Sequence, residues 1–247
     1  ADDQRVIAMR RLSKGTTITY GIENKADVKA ANIEFAGFGK TTFGLRTPSG
    51  SAQVSFPLNG THNVMNALAA AAVGHSFGMS AEEIAGRLSS VNAPPQRGEI
   101  IRFSLGFTVI DDSYNSNPDA LLSMVKTLID GASPAERKIV VAGEMLELGD
   151  KAAEIHRETG HTIASMDVDV LIGVRGLAKE LVTGAANAGF DEVRFAADSD
   201  AAGLMLADIV RPGDVVLVKG SRGVKTEKVI AKIRERFGSE GNGAAAG

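Results

Sequence analysis

Hydrophobic and polar residues alternate in short runs over the first part of the chain. Up to about Leu58 these runs are broken by Gly and Pro, a pattern that predicts short β-strands. The predicted strands cover residues 16–20, 28–35, 41–47 and 51–56, and the apolar run at 6–9 fits the same β-like pattern. A Pro-Ser-Gly step at 48–50 predicts a hairpin turn. Two helices should follow, at about 63–77 and 81–88, and Ser80 and Glu83 have the spacing of a capping box at the start of the second.

Later in the chain the pattern changes to helices that alternate with strands. After a strand pair at 99–104 and 107–111, Asn117 and Pro118 suit the start of a helix. The further strands are predicted at 138–142, 170–174, 193–196 and 215–218, and the further helices at 152–165, 176–188, 199–210 and 224–237. Such alternation predicts an α/β fold with a mainly parallel sheet. The polar run 112–117 separates the two patterns, so we expect one domain over 1–112, a second over 113–237 and a disordered Gly/Ala-rich tail at 238–247.

Composition and charge exclude several classes of protein. The 27 Lys and Arg residues against 30 Asp and Glu leave a formal net charge of −3, which gives no basis for binding nucleic acid or an anionic membrane. No apolar stretch approaches the roughly 20 residues that span a bilayer, and we expect no secretory signal. Because the chain has no cysteine, it forms no disulfide and no thiolate metal site, and a reducing, cytoplasmic location fits.

The Gly-Lys-Thr sequence at 39–41 matches only the end of a phosphate-binding P-loop. A P-loop needs another Gly five positions before its Gly-Lys, and that position is Glu34. The residues after Thr41 are strand-like, whereas the loop works by leading into a helix N-terminus. We therefore expect an ordinary turn here.

Three further segments carry candidate chemistry that a structural role could also explain. Asn63 and Asn66 share a face at the start of a helix, where two amides can read a purine edge or cap the helix, and from these residues alone capping is favoured. Arg97 follows a Pro-Pro-Gln loop and can bind phosphate, although a surface ion pair is the commoner role. The polar run 111–117 follows a strand, where an Asp can accept hydrogen bonds from ribose; a turn with a helix cap is the alternative.

The strongest physical signal is Lys-Gly-Ser-Arg at 219–222, between a strand and a predicted helix. Free N–H groups, the Ser221 hydroxyl and the cations Lys219 and Arg222 would converge at one helix N-terminus, which predicts an anion site. A tight turn with solvated cations is the alternative. His156 and His161 are five residues apart, which is not the spacing of a helical metal pair, and we predict no metal site in this chain.

Together these segments resemble the Mur ligase family. The matching stretches occur in family order: 62–66 with its Ala-rich helix, 95–99, 111–118, 143–149 with 156–158, and 216–222. The Asp-Asp-Ser-Tyr-Asn-x-Asn-Pro and Val-Lys-Gly-Ser-Arg runs are typical of the member that joins D-alanyl-D-alanine to UDP-N-acetylmuramoyl-tripeptide. Glu144 departs from the family pattern, in which Asp is common.

The resemblance implies a fold and an activity. The fold would be the second half of a central ATPase-type domain, over 1–112, followed by a Rossmann-like C-terminal domain over 113–237. The activity would be ATP-dependent amide ligation in cytoplasmic peptidoglycan synthesis, through an acyl phosphate. In the family the P-loop and the magnesium-binding residues lie upstream of these stretches. We therefore expect a preceding part of the same polypeptide to supply them, with Mg²⁺, and this chain alone to be inactive.

The resemblance also implies roles for individual side chains. Those expected to contact ATP are Asn63 and Asn66 at the adenine, Arg97 at the phosphates and Asp112 at the ribose. Those expected to bind substrate are Asn115, Asn117, Lys219, Ser221 and Arg222, the last three at the carboxylate-bearing peptide or the acyl-phosphate region. Of these side chains, Arg97 and Lys219 are the expected catalytic residues.

Two other functions stay open at this point. One is a non-catalytic nucleotide- or peptide-binding module. The other is a related ligase such as a folylpolyglutamate synthase, against which the runs 111–118 and 219–222 weigh. A Gly-Lys-Thr/Ser loop upstream in the same reading frame would favour the ligase over the binding module.

Overall fold

The computed structural model describes residues 1–238, which divide into two compact units, Ala1–Ala93 and the residues from Pro94 onward. Each unit has its own sheet. The predicted domain limit at 112/113 lies later in the chain than this division, because the strand pair before it belongs to the sheet of the second unit. Apart from Gly238, the predicted disordered tail lies outside the described residues.

The first unit is a four-stranded sheet covered by helices. Its elements are α1 (Gln4–Ala8), β1 (Tyr20–Gly21), β2 (Val28–Phe35), β3 (Thr41–Thr47), β4 (Gly50–Phe56), α2 (Thr61–Ser76) and α3 (Ala81–Ser89), with a 3-10 turn at Met9–Leu12. The strands lie in sequence order, with β1 parallel to β2 and the others antiparallel. The inward side chains Phe43 and Val54 pack with Leu68 of α2 and Ile84 of α3. Alternating burial along β3 and β4 thus follows the period of two seen in the sequence.

Two predictions for the beginning of the chain are wrong. The apolar run 6–9 is not β-like but lies in α1 and the 3-10 turn, because the Asp3 carboxylate accepts hydrogen bonds from the N–H groups of Arg5 and Val6 and caps a helix. The predicted strand 16–20 is reduced to Tyr20–Gly21. The hairpin turn after Thr47 and the capping box of Ser80 and Glu83 are confirmed.

The second unit is a six-stranded sheet with helices on both faces. Its strands are β5 (Glu99–Arg102), β6 (Thr108–Asp112), β7 (Lys138–Gly143), β8 (Val170–Val174), β9 (Val193–Ala196) and β10 (Val215–Lys219). Its helices are α4 (Pro118–Gly131), α5 (Ala152–Ala164), α6 (Ala178–Asn187), α7 (Ser199–Ile209) and α8 (Glu227–Phe237), with 3-10 turns at Gly149–Lys151 and Arg222–Val224. Five strands are parallel and β5 runs antiparallel at one edge, which confirms the α/β class and the mainly parallel sheet.

The strand order, β5-β6-β10-β7-β8-β9, places the last strand of the chain in the middle of the sheet. Strand β10 is buried along its whole length because it pairs with β6 on one side and β7 on the other. Val216 and Val218 pack in one core cluster with residues of α7 and α8, and the intervening Leu217 is buried on the opposite face. The carboxyl ends of β6, β10 and β7 therefore meet at one edge of the sheet.

Helices α5 and α6 cross at two glycines. A Cβ on Gly160 would lie 1.8 Å from the carbonyl oxygen of Leu181, and a Cβ on Gly184 would lie 2.0 Å from that of Arg157. Only glycine permits this backbone approach, so both positions fix the packing of the pair. None of the helices within residues 1–238 is long and apolar enough to cross a membrane.

Candidate functional site

Lys219 and Asp112 form an ion pair at the carboxyl ends of two adjacent strands. They are direct neighbours in the register of β10 and β6, and the Lys219 Nζ lies 2.5 Å from Oδ2 of Asp112. The same ammonium donates to the carbonyl oxygen of Asn115 at 2.8 Å. Both side chains are largely buried, with 5% of Lys219 and 15% of Asp112 exposed. The carboxylate expected at the ribose and the expected catalytic lysine are thus held as one unit.

The neighbouring Asp111 has a different role. Burial raises its pKa above the ordinary value of 3.8, against the opposing effect of hydrogen bonds from the backbone N–H and the hydroxyl of Ser113. These bonds fix the first turn of the loop that follows β6. Asp111 therefore shapes the loop, while Asp112 points its carboxylate at Lys219.

Ser221 joins two loops rather than standing free. Its buried hydroxyl accepts a hydrogen bond from the N–H of Leu146 at 2.9 Å and donates to the carbonyl oxygen of Ser116 at 3.3 Å. Next to it, a Cβ on Gly220 would lie 2.6 Å from Cγ2 of Thr226. The close backbone approach that Gly220 permits is thus made to Thr226.

The predicted helix N-terminus at residues 219–222 is wrong. A 3-10 turn at Arg222–Val224 follows the strand, Lys225 adopts a left-handed conformation with φ of 60°, and α8 begins at Glu227. The charge of Arg222 therefore reaches this region from a turn, and the helix dipole of α8 is displaced from it. The anion-binding groups that remain are guanidinium and ammonium groups.

Arg97 and Arg222 converge on the ring of Tyr114. The Arg97 Cζ lies 4.0 Å and the Arg222 Cζ 5.8 Å from the ring centroid. Gln96 connects Arg222 and Tyr114, because its side-chain oxygen accepts from Nη1 of Arg222 at 2.9 Å and its carbonyl oxygen accepts from the N–H of Tyr114 at 3.2 Å. Both arginines are exposed, so their remaining N–H groups face solvent and can bind an anion.

Asn115 and Asn117 have their side-chain oxygens occupied. The Asn117 Oδ1 caps α4 by accepting from the N–H of Ala120 at 2.8 Å, as its position before Pro118 predicts. The Asn115 Oδ1 accepts from the N–H of Ser116 at 2.9 Å. Their amide nitrogens can still donate to a ligand.

The loop after β7 is held by Glu144 and His156. The Glu144 Oε1 accepts from the N–H of Leu177 at 2.9 Å, so the glutamate at this position serves as a link to the loop after β8. His156 is fully buried; its Nε2 accepts from the N–H of Met145 at 2.9 Å, and its Nδ1 lies 2.6 Å from the carbonyl oxygen of Ala152. This histidine therefore has a structural role.

Asn63 and Asn66 lie in the first two turns of α2, in the first unit. The helix begins at Thr61 after Gly60, so neither asparagine caps it, and the favoured capping interpretation is wrong. The Asn63 Nδ2 donates to the carbonyl oxygen of Asn59 at 2.8 Å, which leaves its Oδ1 as an acceptor, and Asn66 is exposed. Two amides on one helix face remain available to a ligand.

The Gly-Lys-Thr sequence at 39–41 forms the turn between antiparallel strands β2 and β3. Gly39 has φ of 78°, and Thr41 begins β3 with its hydroxyl bonded to the carbonyl oxygen of Leu58 at 2.8 Å. The predicted turn is confirmed, and no helix follows to form a phosphate site. Among residues 1–238, His, Asp and Glu side chains form no group of three or more that could hold a metal ion.

Reasoning from the sequence missed Gln96 and Tyr114 as members of the site. Tyr114 stands inside a motif that the sequence analysis singled out, but nothing in the motif shows which side chains meet its ring. Two buried hydroxyls were also missed: Ser116 Oγ and Thr226 Oγ1 have no hydrogen-bond partner. Ser116 lies beside Ser221 and Thr226 lies beside Gly220, and an added polar group could satisfy the two hydroxyls.

Comparison with known proteins adds a family. The model of the Mur ligase middle domain matches residues 1–74, and that of the Mur ligase glutamate ligase domain matches 96–222. The UDP-N-acetylmuramoyl-tripeptide–D-alanyl-D-alanine ligases of Mycobacterium tuberculosis (strain CDC 1551 / Oshkosh) and Escherichia coli (strain K12) are 35% and 34% identical, over 90% and 85% of this chain and 47% and 45% of theirs.

A solved structure gives the same result. The crystal structure of MurF from Acinetobacter baumannii is 28% identical with a TM-score of 0.82, and the match covers 95% of this chain and 51% of that one. The chain therefore spans about half the length of the relatives it matches. Because one family model alone covers half of the chain and the fold agrees, the chain belongs to the Mur ligase family.

Proposed function

We propose that this chain is the part of an ATP-dependent ligase that joins D-alanyl-D-alanine to UDP-N-acetylmuramoyl-tripeptide in the cytoplasm. The observation that carries the proposal is the buried ion pair of Lys219 and Asp112 at the carboxyl ends of β10 and β6. Ligands of open parallel sheets bind at such an edge, where strand order reverses. The half-length match to ligases named for this reaction supports the same substrates.

Each unit contains side chains that we propose for nucleotide binding. In the first unit we assign the adenine to the amides of Asn63 and Asn66. In the second unit we assign the ribose hydroxyls to the Asp112 carboxylate and the phosphates to Arg97. The fit rests on the chemistry of these groups: the Asp112 carboxylate can accept while Lys219 neutralises it, and the Arg97 guanidinium keeps N–H groups free.

Peptide binding would fall to the loops that follow β6 and β10. The exposed guanidinium of Arg222 suits a carboxylate, and the amide nitrogens of Asn115 and Asn117 can donate to a peptide. Ser221 contributes by holding these loops in place. Mg²⁺ would neutralise the phosphate charge when bound, and we expect its ligands in a preceding part of the polypeptide.

The proposed reaction has two steps. A carboxylate oxygen of the tripeptide takes the γ-phosphoryl group, which leaves ADP and an acyl phosphate. The amine of D-alanyl-D-alanine then attacks the acyl carbon, loses a proton and displaces inorganic phosphate. In this region of the fold Arg97, Lys219 and Arg222 supply the positive charge, and positioning with charge neutralisation is the main contribution that a protein makes to phosphoryl transfer.

A titration of ATP into the purified chain tests the nucleotide role. We expect measurable affinity that Asp112→Asn and Arg97→Gln each weaken about ten-fold, because each loses a charge-assisted hydrogen bond. Asp208→Asn and Arg236→Gln are the matched controls, since they change charge by the same amount at an exposed ion pair of α7 and α8. Equal weakening by the controls would contradict the assignment.

Turnover separates a ligase from a non-catalytic binding module. The chain alone should release no phosphate, because its Gly-Lys-Thr sequence is a hairpin turn. A longer polypeptide that carries the chain should release phosphate only when ATP, UDP-N-acetylmuramoyl-tripeptide and D-alanyl-D-alanine are all present. Binding of ATP without any such turnover would favour the binding module.

A further inference from the structure

The ring of Tyr114 lies beside two arginines: Arg97, predicted to bind phosphate, and Arg222, predicted to bind the carboxylate-bearing peptide. The sequence motifs that contain these residues do not predict this contact. Both guanidinium carbons are within 5.8 Å of its centroid, although Arg97 and Arg222 are 125 positions apart and enter from different loops. Two positive groups beside the same ring repel one another. A ring face attracts each of them through its quadrupole and leaves their N–H edges uncovered.

Hydrogen bonds from neighbouring residues fix the positions of Tyr114 and Arg222 relative to each other. Gln96 adopts a left-handed conformation with φ of 62°, and from there its two oxygens accept from the N–H of Tyr114 and from Nη1 of Arg222. The neighbouring N–H of Gly98 donates to the carbonyl oxygen of Asp111 at 2.8 Å, which ties the loop to the end of β6. Glu227, with Oε1 3.8 Å from Nη1 of Arg222, is the carboxylate that the structure places beside that guanidinium.

We propose that Tyr114 is a positioning residue that holds Arg97 and Arg222 as a paired site for two adjacent anionic groups, the transferred phosphoryl group and the acceptor carboxylate. The inference rests on the proposed function and adds to it the geometry by which the two reacting groups are brought together. Long arginine side chains lose considerable rotamer freedom when they bind, and contact with the same ring limits that freedom beforehand. Tyr114 touches neither reacting group and acts through the two arginines.

Pyrophosphate is the probe, because it carries two linked phosphoryl groups and needs no turnover. The chain has no Trp and two Tyr, so in a Tyr20→Phe background the tyrosine emission reports Tyr114 alone. We expect a saturable change of this emission as pyrophosphate is added at low salt. The dissociation constant should match calorimetry on the unaltered chain.

The Tyr114 variants separate positioning from charge, because neither changes the charge. By calorimetry, Tyr114→Leu should raise the dissociation constant of pyrophosphate about five-fold, the loss expected from two exposed cation–π contacts. Tyr114→Phe should keep this constant within about two-fold of that of the unaltered chain. Tyr114 is 44% exposed, so the thermal melt of both variants should stay close to that of the unaltered chain. Arg236→Gln, which removes an arginine from the ring of Phe237, is the control and should bind pyrophosphate normally.

The outcomes distinguish this inference from the proposed function. Unchanged pyrophosphate affinity in Tyr114→Leu overturns the role of the ring, even if Arg97→Gln still weakens binding. Absence of saturable pyrophosphate binding overturns the paired site as a whole. If the paired site behaves as expected but the longer polypeptide shows no ligation, the proposed reaction fails and the positioning of the arginines by Tyr114 stands.

Discussion

Lys219 Nζ lies 2.5 Å from Oδ2 of Asp112 although 107 positions separate the two residues in sequence. The contact exists because β10 enters the sheet beside β6 and ends level with it. The lysine thereby covers a carboxylate that is 15% exposed and at the same time closes the loop through the carbonyl oxygen of Asn115. One ammonium therefore holds both the Asp112 carboxylate and the loop that follows β6.

Removal of the lysine alone should therefore destabilise the second unit. Lys219→Met keeps the stem but leaves the Asp112 carboxylate and the Asn115 carbonyl without their partner, and we expect a loss of about 2 kcal/mol in the free energy of unfolding. Lys219→Met with Asp112→Asn should lose less than the sum of the single variants, because no charge is left unpaired. Urea denaturation of the four proteins measures this coupling, and strictly additive losses would contradict it.

The second unit should fold without the first. We expect the segment 94–247 to melt cooperatively, because it contains all six strands of its sheet. The segment 113–247 lacks β5 and β6, which exposes one edge of the buried strand β10, and it should show no cooperative melt. Circular dichroism of the two segments decides the matter, and equal melting of both would contradict the assignment of β5 and β6 to this unit.

Low pH should destabilise the first unit because it protonates the Asp2 carboxylate. Burial raises the pKa of this carboxyl, but hydrogen bonds from the N–H groups of Asn24, Ile22 and Glu23 outweigh it and hold the pKa below 3.8. A lowered folded-state pKa means that the stabilisation is complete above the unfolded pKa and is lost as pH falls through the folded value. Asp2→Asn should therefore lower stability at pH 7, and the difference from the unaltered chain should shrink below about pH 4. A difference that is constant from pH 7 to pH 2 would exclude this carboxylate as the cause.

Glycine at the α5–α6 crossing should be irreplaceable. Gly184→Ala places a methyl group 2.0 Å from the carbonyl oxygen of Arg157, and we expect a loss of more than about 2 kcal/mol as the helices separate. The matched control is Gly86→Ala in α3, where a Cβ meets nothing within 4 Å and the substitution should be neutral or stabilising by about 0.5–1 kcal/mol. Thermal unfolding of both variants checks the contrast, and a tolerated Gly184→Ala would show that the crossing is looser than described.

The sequence predicts a helix start correctly where contacts between residues close in the chain determine it. Ser80 with Glu83, and Asn117 before Pro118, determine helix starts through contacts three residues away, and both occur as expected. The run 6–9 failed because a five-residue helix is too short for a period to show, and the Asp3 cap decided its conformation. The predicted start of α8 is wrong because Lys225 is left-handed and Thr226 packs against Gly220. The sequence pattern shows neither feature.

The sequence indicates candidate site residues but does not show how they are arranged. Asp112 and Lys219 follow from their positions at strand ends, whereas their pairing depends on the insertion of β10 between β6 and β7. Gln96 and Arg222 are 126 positions apart, and no pattern in the sequence indicates that they form a hydrogen bond. Long-range side-chain contacts of this kind are set by topology, which a single sequence does not display.

We propose that the edge of the sheet at β6 and β10 takes part in phosphoryl transfer to a peptide carboxylate. Phosphate release by the longer polypeptide, with all three substrates present, tests it most directly when Arg222→Ala is compared with the matched control Arg236→Ala. We predict that Arg222→Ala lowers kcat/KM for the tripeptide substrate by about one to two orders of magnitude, the loss of a charge-assisted hydrogen bond in the transition state, while Arg236→Ala leaves it unchanged. An unchanged kcat/KM in Arg222→Ala would show that the segment after β10 is only a turn and would contradict the proposed role of this edge of the sheet.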